Sequence, residues 1–453
     1  MDKLSEINSF INSIVWGPVM LCVMLGVGIL YTFRLRFIQI KDIRLWWMCT
    51  AGSIFRREEN NTVSRITPFQ AMATSLAGAI GTGNIVGVAG AIAIGGPGAV
   101  FWMWTAAFFG MATSYAENVL GVKYREKKNG SYVGGPMYYI ENGLRCKWAA
   151  VCFALICMAA ALGMGNMTQS NSVAAALYHS FGVSPYVSAV FVTAAACAVI
   201  FGGIGRIAKV TEKLVPAMAL IYIALAAVVI ALNAGRIPDA LGRIFVSAFD
   251  IRSISGGFAG SAMALAIRCG ITRGVFSNEA GLGSSPIVHA AADTDDPYKE
   301  GMWGIFQVFV DTIVLCTLMA LCILTSDADI TEKDGVALAD SAFAGTLGTA
   351  GEIILSVSVV LFAFATLVSW CYYGEKSLEY LAGSRFVPVY RAVYCIAAYF
   401  GCIMSVSIVW EISDTLNGLM AVPNLVALFL LRKEVVYSGI DGIRDRIRSN
   451  GSR

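Results

Sequence analysis

Two short runs combine glycines with groups able to hold ions. One is Gly78-Ala79-Ile80-Gly81-Thr82-Gly83-Asn84; the other is Arg273-Gly274-Val275-Phe276-Ser277-Asn278-Glu279-Ala280-Gly281. Each interrupts an apolar stretch, about 69–94 and 258–292. Unwound backbone in hydrocarbon leaves N–H and C=O groups without water, and it persists only where protein or a polar cavity satisfies it. Two such interruptions at matching places in two halves of a chain point to a transporter's binding site. Unwinding at Gly81–Gly83 exposes the N–H groups that open the half-helix after Asn84, and these favour a carboxylate. Thr82 adds a hydroxyl and Asn84 an amide. The bland alternative is a glycine-lined packing seam.

The second run carries Ser277, Asn278 and Glu279 beside Arg268 and Arg273. Intramembrane charges need a partner or a cavity. The arginines are expected to pair with Glu279, Asp311 or Glu117 as gate or scaffold contacts, or Arg273 lies at the cytoplasmic rim. A third polar group is Asn166, Thr168, Gln169, Ser170, Asn171 and Ser172, inside apolar sequence; Asn166 and Gln169 share a helical face. A fourth is Thr366-Leu367-Val368-Ser369-Trp370, with Thr366 and Ser369 also on one face. Amides bind ammonium through oxygen and carboxylate through nitrogen. Interhelical hydrogen bonds and back-bonding to the helix are the alternatives.

These groups sit in a chain of 453 residues, 57% hydrophobic, with mean hydropathy +0.68 and 14% charged residues. Soluble domains carry roughly 25% charge. The fold class is therefore an all-α polytopic membrane protein in one integrated domain. Eleven spans are expected, near 11–32, 69–94, 98–122, 149–177, 184–204, 214–233, 258–290, 302–324, 350–381, 388–408 and 411–431. The first is read as a retained span, not a signal peptide. Twelve scattered cysteines and two histidines give no disulfide framework or zinc motif. Twenty-six of the 33 Lys and Arg residues fall in loops on one alternating side. That side is read as cytoplasmic, with the N-terminus outside and the C-terminus inside. Segment 34–57 reads as an interfacial helix.

The broken spans are the second and seventh. Their odd separation makes spans 2–6 (69–233) and 7–11 (258–431) an inverted 5+5 repeat, each unit opening with a discontinuous helix. Residues 11–68 are an extra span plus the connector; 432–453 form a cytoplasmic tail.

The motifs also carry a resemblance. Gly81-Thr82-Gly83-Asn84-Ile85, Gly95-Gly96-Pro97-Gly98-Ala99-Val100-Phe101-Trp102-Met103-Trp104, Gly274 through Ser284, and His289-Ala290-Ala291-Ala292 closely resemble the alanine or glycine:cation symporters. The resemblance spans about 15–430. It implies a leucine-transporter-like fold and sodium-coupled movement of small amino acids. In that fold the fourth and ninth spans lie beside the first break. The candidate substrate residues are Thr82, Gly83, Asn84, Asn166, Gln169, Phe276, Ser277, Asn278 and Trp370, with Phe276 and Trp370 walling a small pocket. The candidate sodium site joins the hydroxyls of Thr366 and Ser369 to carbonyls at Gly78, Ala79 and Gly81. No cofactor is expected beyond the coupling ion, and no nucleic acid partner. The partners are a small amino acid, sodium and the lipid bilayer, with a monomer as default. The expected location is a bacterial inner membrane.

A channel would need a repeated filter or rings of like charge. An enzyme would need a nucleophile–base pair or a metal set. Neither pattern is present. Proton coupling through Glu279 or Asp311 is the serious rival. At Gly83 a side chain is expected to be rejected for reasons of backbone dihedral, while Gly95→Ala is expected to be tolerated.

Overall fold

A computed structural model describes residues 2–53, 66–128, 130–249, 258–330, 334–404 and 407–451. Helices occupy all eleven expected stretches. By length and composition seven of them are able to cross a membrane, or eight when the bent pair Pro68–Ala79 and Thr82–Gly95 counts as one. The third, fifth and seventh stretches fall outside that group. The third contains Glu117 and Asn118, the fifth has only 16 residues, and the seventh is broken and carries two arginines.

The second span begins sharply. Thr67 and Gln70 form a reciprocal capping box, with both bonds at 3.0 Å, and Pro68 opens the helix. The helix stops at Ala79, turns through Thr82–Asn84, and resumes at Val86 with a 61° bend. The seventh span breaks differently. It stays helical to Asn278, then Glu279, Gly281 and Gly283 take φ of +59°, +90° and +85° before a short helix at Ser285–His289. Left-handed residues end a helix, and glycine adopts them without steric cost. The expected break at Arg273 is therefore corrected: Arg273 to Asn278 are helical, and unwinding starts at Glu279. Gly274 serves a close approach instead, since a Cβ there would lie 3.3 Å from the Met103 backbone.

Four of the five equivalent pairs of spans pack together. The second packs on the seventh, the third on the eighth, the fourth on the ninth and the fifth on the tenth. That pairing is what a two-fold-related inverted repeat produces. The third, seventh and eighth spans form one tight group; the fourth and ninth form the heart of another. The two breaks lie between these groups. Helices of the fourth and eighth spans widen into π-type turns at Gly163–Met167 and Phe309–Cys316, a distortion often found at functional sites.

The connector is not one interfacial helix. It is two short helices, Ile38–Lys41 and Ile43–Cys49, which bury Leu45 and Trp46 and leave Ile40, Ile43 and Trp47 exposed. Residues 54–57 of that expectation lie outside the described residues. The final helix, Ser438–Gly451, ties to the connector through Arg444 and Asp42.

Candidate functional site

Around the first break, the side-chain oxygen of Asn84 accepts the Gly81 N–H at 3.1 Å. The N–H groups of Asn84 and Ile85 bond back to the Gly81 and Thr82 carbonyls at 3.3 Å. Among the described residues nothing accepts from the N–H groups of Thr82 and Gly83. Buried backbone donors are rarely left so. Both residues line a cavity of about 220 Å³ with Val86, Gly87, Arg273 and Phe276. Phe276 also lines an adjoining cavity of about 200 Å³ with Met164, Thr168, Arg273, Trp410 and Asp414. The first cavity is also lined by Gly90, Ile94, Gly335 and Trp410, and Trp410 is common to both.

The glycines here answer to space. Gly81 is extended, at φ −124°, and a Cβ on it would lie 2.8 Å from the Thr366 hydroxyl. Gly83 has no left-handed φ; a Cβ on it would touch the Phe276 ring at 3.4 Å. The dihedral argument for Gly83 is thus replaced by one of close approach. Gly95 is no neutral position either, because a Cβ would meet Cys269 at 2.9 Å and Ala266 at 3.2 Å.

At the second break the exposed backbone donors have an acceptor within the chain. The carboxylate of Glu117, fully buried on the third span, accepts from the N–H groups of Gly281 at 3.1 Å and Gly283 at 3.0 Å. Asn424 adds a 2.6 Å bond to the same carboxylate and donates to the Gly281 carbonyl at 2.9 Å. Tyr139 holds Asn424 in place. Glu279 accepts from Ser284 and, at 3.0 Å, from the Trp370 indole. Trp370 lies 3.3 Å from the Gly78 carbonyl as well, so it bridges the two breaks.

Asp311 forms the other bridge. Its carboxylate accepts from Asn84 at 2.7 Å, and from Ser277 and Thr312 at 2.8 Å. Asn278 is occupied by Thr312 and by the Ala280 N–H, at 3.1 and 3.0 Å. Among the described residues no ion pair joins Arg268 or Arg273 to Glu117, Glu279 or Asp311. Arg273 instead lies 5.7 Å from the Phe276 ring centre and faces the cavities. The expected pairing is corrected accordingly: the carboxylates are met by neutral donors.

Thr366 sits where the first helix ends. Its hydroxyl is 3.0 Å from the Ala77 carbonyl and 3.2 Å from that of Ile80. It also lies 3.1 Å from the Phe362 carbonyl of its own helix; at the first break the carbonyls within its reach are those of Ala77 and Ile80 rather than those of Gly78, Ala79 or Gly81. Ser369 is fully buried, and among the described residues its hydroxyl has no partner. The Gln169 oxygen is also buried and unpartnered, 3.5 Å from a Cβ placed on Gly81; its nitrogen bonds the Met164 carbonyl at 3.1 Å.

The structure thus gathers Thr82, Gly83, Gln169, Phe276, Thr366 and Trp370 about the first break. It takes the side chains of Asn84, Ser277 and Asn278 into the Asp311 network, which leaves them tying span to span. Asn166 is tied in the same way: its amide donates to the Tyr394 carbonyl at 2.6 Å. Sequence reasoning missed the carbonyls of Ala77 and Ile80, the bracing by Glu117, and Trp410 in the wall of both cavities. Only Glu117 left a signal, as an acid in the polar run Ser114–Asn118.

The sodium:alanine symporter family model matches residues 1–442. The chain belongs to that family. It is 45% identical over 445 residues to the sodium/alanine symporter AgcS of Methanococcus maripaludis, covering 96% of each chain. It is 38% identical to GlnT of Bacillus subtilis, named "Probable sodium/glutamine symporter", covering 96% of this chain and 90% of that one. Among solved structures it resembles MhsT in complex with L-phenylalanine, with TM-score 0.57 and 13% identity, over 81% of this chain and 89% of that one. That likeness supports the inverted-repeat fold. This member of the sodium:alanine symporter family is a multi-pass membrane protein that couples sodium to amino-acid movement, and it is not an enzyme.

Proposed function

We propose that the chain imports alanine and glycine with sodium by alternating access. The observation that carries this reading is the pair of N–H groups at Thr82 and Gly83, unpartnered among the described residues, on two residues that line a small cavity with Phe276. They hold the substrate carboxylate, as helix N-termini hold anions. The Gln169 oxygen takes the ammonium. Phe276 closes over the substrate and, with Trp370, limits side-chain size. Sodium sits among Thr366, Ser369 and the carbonyls of Ala77 and Ile80, a neutral oxygen set suited to a hard cation.

The N-terminus lies outside and the C-terminus inside, a reading supported by the lysine and arginine distribution. The cavities beside Trp410 then face the exterior, and the bracing by Glu117 closes the cytoplasmic side. The domain limits follow: spans 69–233 and 258–431 as the two repeats, with the first span and the tail outside them. Inward sodium movement releases ~3.5 kcal/mol at roughly −150 mV, and a tenfold gradient adds ~1.4 kcal/mol.

The test is uptake into proteoliposomes across sodium concentrations at fixed pH, with glutamine as competitor. Sodium-dependent alanine uptake, unaffected by excess glutamine, is expected. Uptake driven by a proton gradient without sodium would establish proton coupling instead. Equal competition by glutamine would refute the small pocket.

A further inference from the structure

We infer that the connector between the first and second spans binds anionic phospholipid headgroups through one exposed face. The first span runs to Arg34 and is able to cross a membrane, so the connector starts at headgroup depth. Its two helices, Ile38–Lys41 and Ile43–Cys49, are two-sided. Leu45, Trp46 and Cys49 are buried against the rest of the chain. Ile40, Lys41, Ile43, Arg44, Trp47 and Met48 are exposed. In the second helix Ile43 and Trp47, and Arg44 with Trp47 and Met48, stand three or four residues apart, which puts them on one helical face. Ile40, Ile43 and Trp47 are 57%, 50% and 48% exposed. A face of apolar side chains among cations settles at the boundary of headgroups and acyl chains, and tryptophan favours that depth.

The face is preformed. Isolated helices this short are unstable in water, yet ring contacts hold these in place. Trp46 and Trp47 lie 5.7 and 6.0 Å from the rings of Phe309 and Phe306 on the eighth span. The final helix adds the pair between Arg444 and Asp42.

The charges select the lipid. Among the described residues Lys41 and Arg44 have no ion-pair partner. Arg36 is exposed just ahead of them, its guanidinium 4.8 Å from the Tyr437 ring centre. Asp42, the one acid of segment 34–49, is withdrawn: it is buried, paired with Arg444, and accepts from the Tyr437 hydroxyl at 3.4 Å. The face therefore offers cations and no anion. A zwitterionic headgroup brings a cation of its own to these side chains; an anionic one does not, and basic residues at the surface attract it. A soluble phosphate would meet the charges but gain nothing from Ile40, Ile43 and Trp47, so the occupant is the lipid.

The experiment is native mass spectrometry of the purified full chain in detergent, titrated with phosphatidylglycerol or with phosphatidylcholine of the same acyl chains. The wild type should bind phosphatidylglycerol about thirtyfold more tightly. Lys41→Gln and Arg44→Gln should each weaken that binding about fivefold, and together should leave the two lipids bound alike. Both side chains are exposed and unpaired, so these variants keep the fold. Arg44→Lys, which keeps the charge, should bind as the wild type does, and so should Lys127→Gln, an exposed lysine away from the connector. Equal binding of the two lipids by the wild type, or unchanged phosphatidylglycerol binding by the double variant, would overturn the inference. Displacement of the lipid by an equal concentration of glycerol phosphate would also overturn it, because the apolar residues would then take no part. A dimer that Trp47→Ala separates would give the face to a second copy of the chain and overturn it as well.

Discussion

The two breaks expose similar backbone donors and treat them oppositely. At 279–284 the N–H groups of Gly281 and Gly283 are bonded to Glu117, a carboxylate of the chain. At 81–84 the N–H groups of Thr82 and Gly83 have no acceptor among the described residues, and both residues line a cavity. One break carries its anion permanently; the other is built to receive one. The backbone differs too. The second break is turned by three left-handed residues, whereas the first bends by 61° without one.

The comparison is broken most severely at Glu117. Glu117→Leu removes the acceptor from two backbone donors and the Asn424 amide. Unmet buried groups cost ~1–3 kcal/mol each. Thermal unfolding of purified protein should show the largest loss of any substitution here, with Glu117→Gln intermediate. Wild-type melting by Glu117→Leu would mean that the second break needs no internal anion.

The first break should respond in function and not in folding. Gly83→Val fills the space under Phe276, where even a Cβ touches the ring. Alanine binding should be abolished while melting stays near the wild type. Gly26→Ala is the control, since a Cβ there meets nothing within 4 Å. Retained binding by Gly83→Val would make the first break a packing seam.

Smaller effects are expected at the pocket wall. Phe276→Ala should relax selectivity toward larger side chains, within the ~1–3 kcal/mol of a methylene-scale change. Trp370→Phe should weaken every substrate and also relax selectivity, though less than Phe276→Ala, because the indole holds Glu279 and the Gly78 carbonyl. Competition assays with alanine, valine and leucine separate the two patterns. Equal loss for all substrates in Phe276→Ala would remove it from the wall.

How much of this was legible follows from range. Spans are written in continuous hydropathy, and both breaks in clustered glycines, so the repeat could be read directly. The onset of the second break could not, because Gly274 and Gly281 look alike in sequence. One admits the neighbouring Met103 backbone and the other turns the chain. The polar side chains were harder still. Asn166 and Gln169 share a helical face, yet Asn166 meets a carbonyl 228 residues away, while the Gln169 oxygen meets nothing. Which amide is spent and which is free depends on partners that spacing does not encode. The carbonyls of Ala77 and Ile80 carried no side-chain signal at all.

The most direct measurement replaces one backbone N–H at the first break by an ester oxygen. Glycolic acid incorporated at position 83 leaves every side chain unchanged and removes a single donor. A hydrogen bond to a charged group contributes ~1.5–3 kcal/mol, so alanine affinity in purified protein should fall by about tenfold or more. Melting should be unchanged, because that N–H has no partner within the chain. Wild-type alanine affinity in the ester protein would contradict the account, and the carboxylate would have to bind elsewhere.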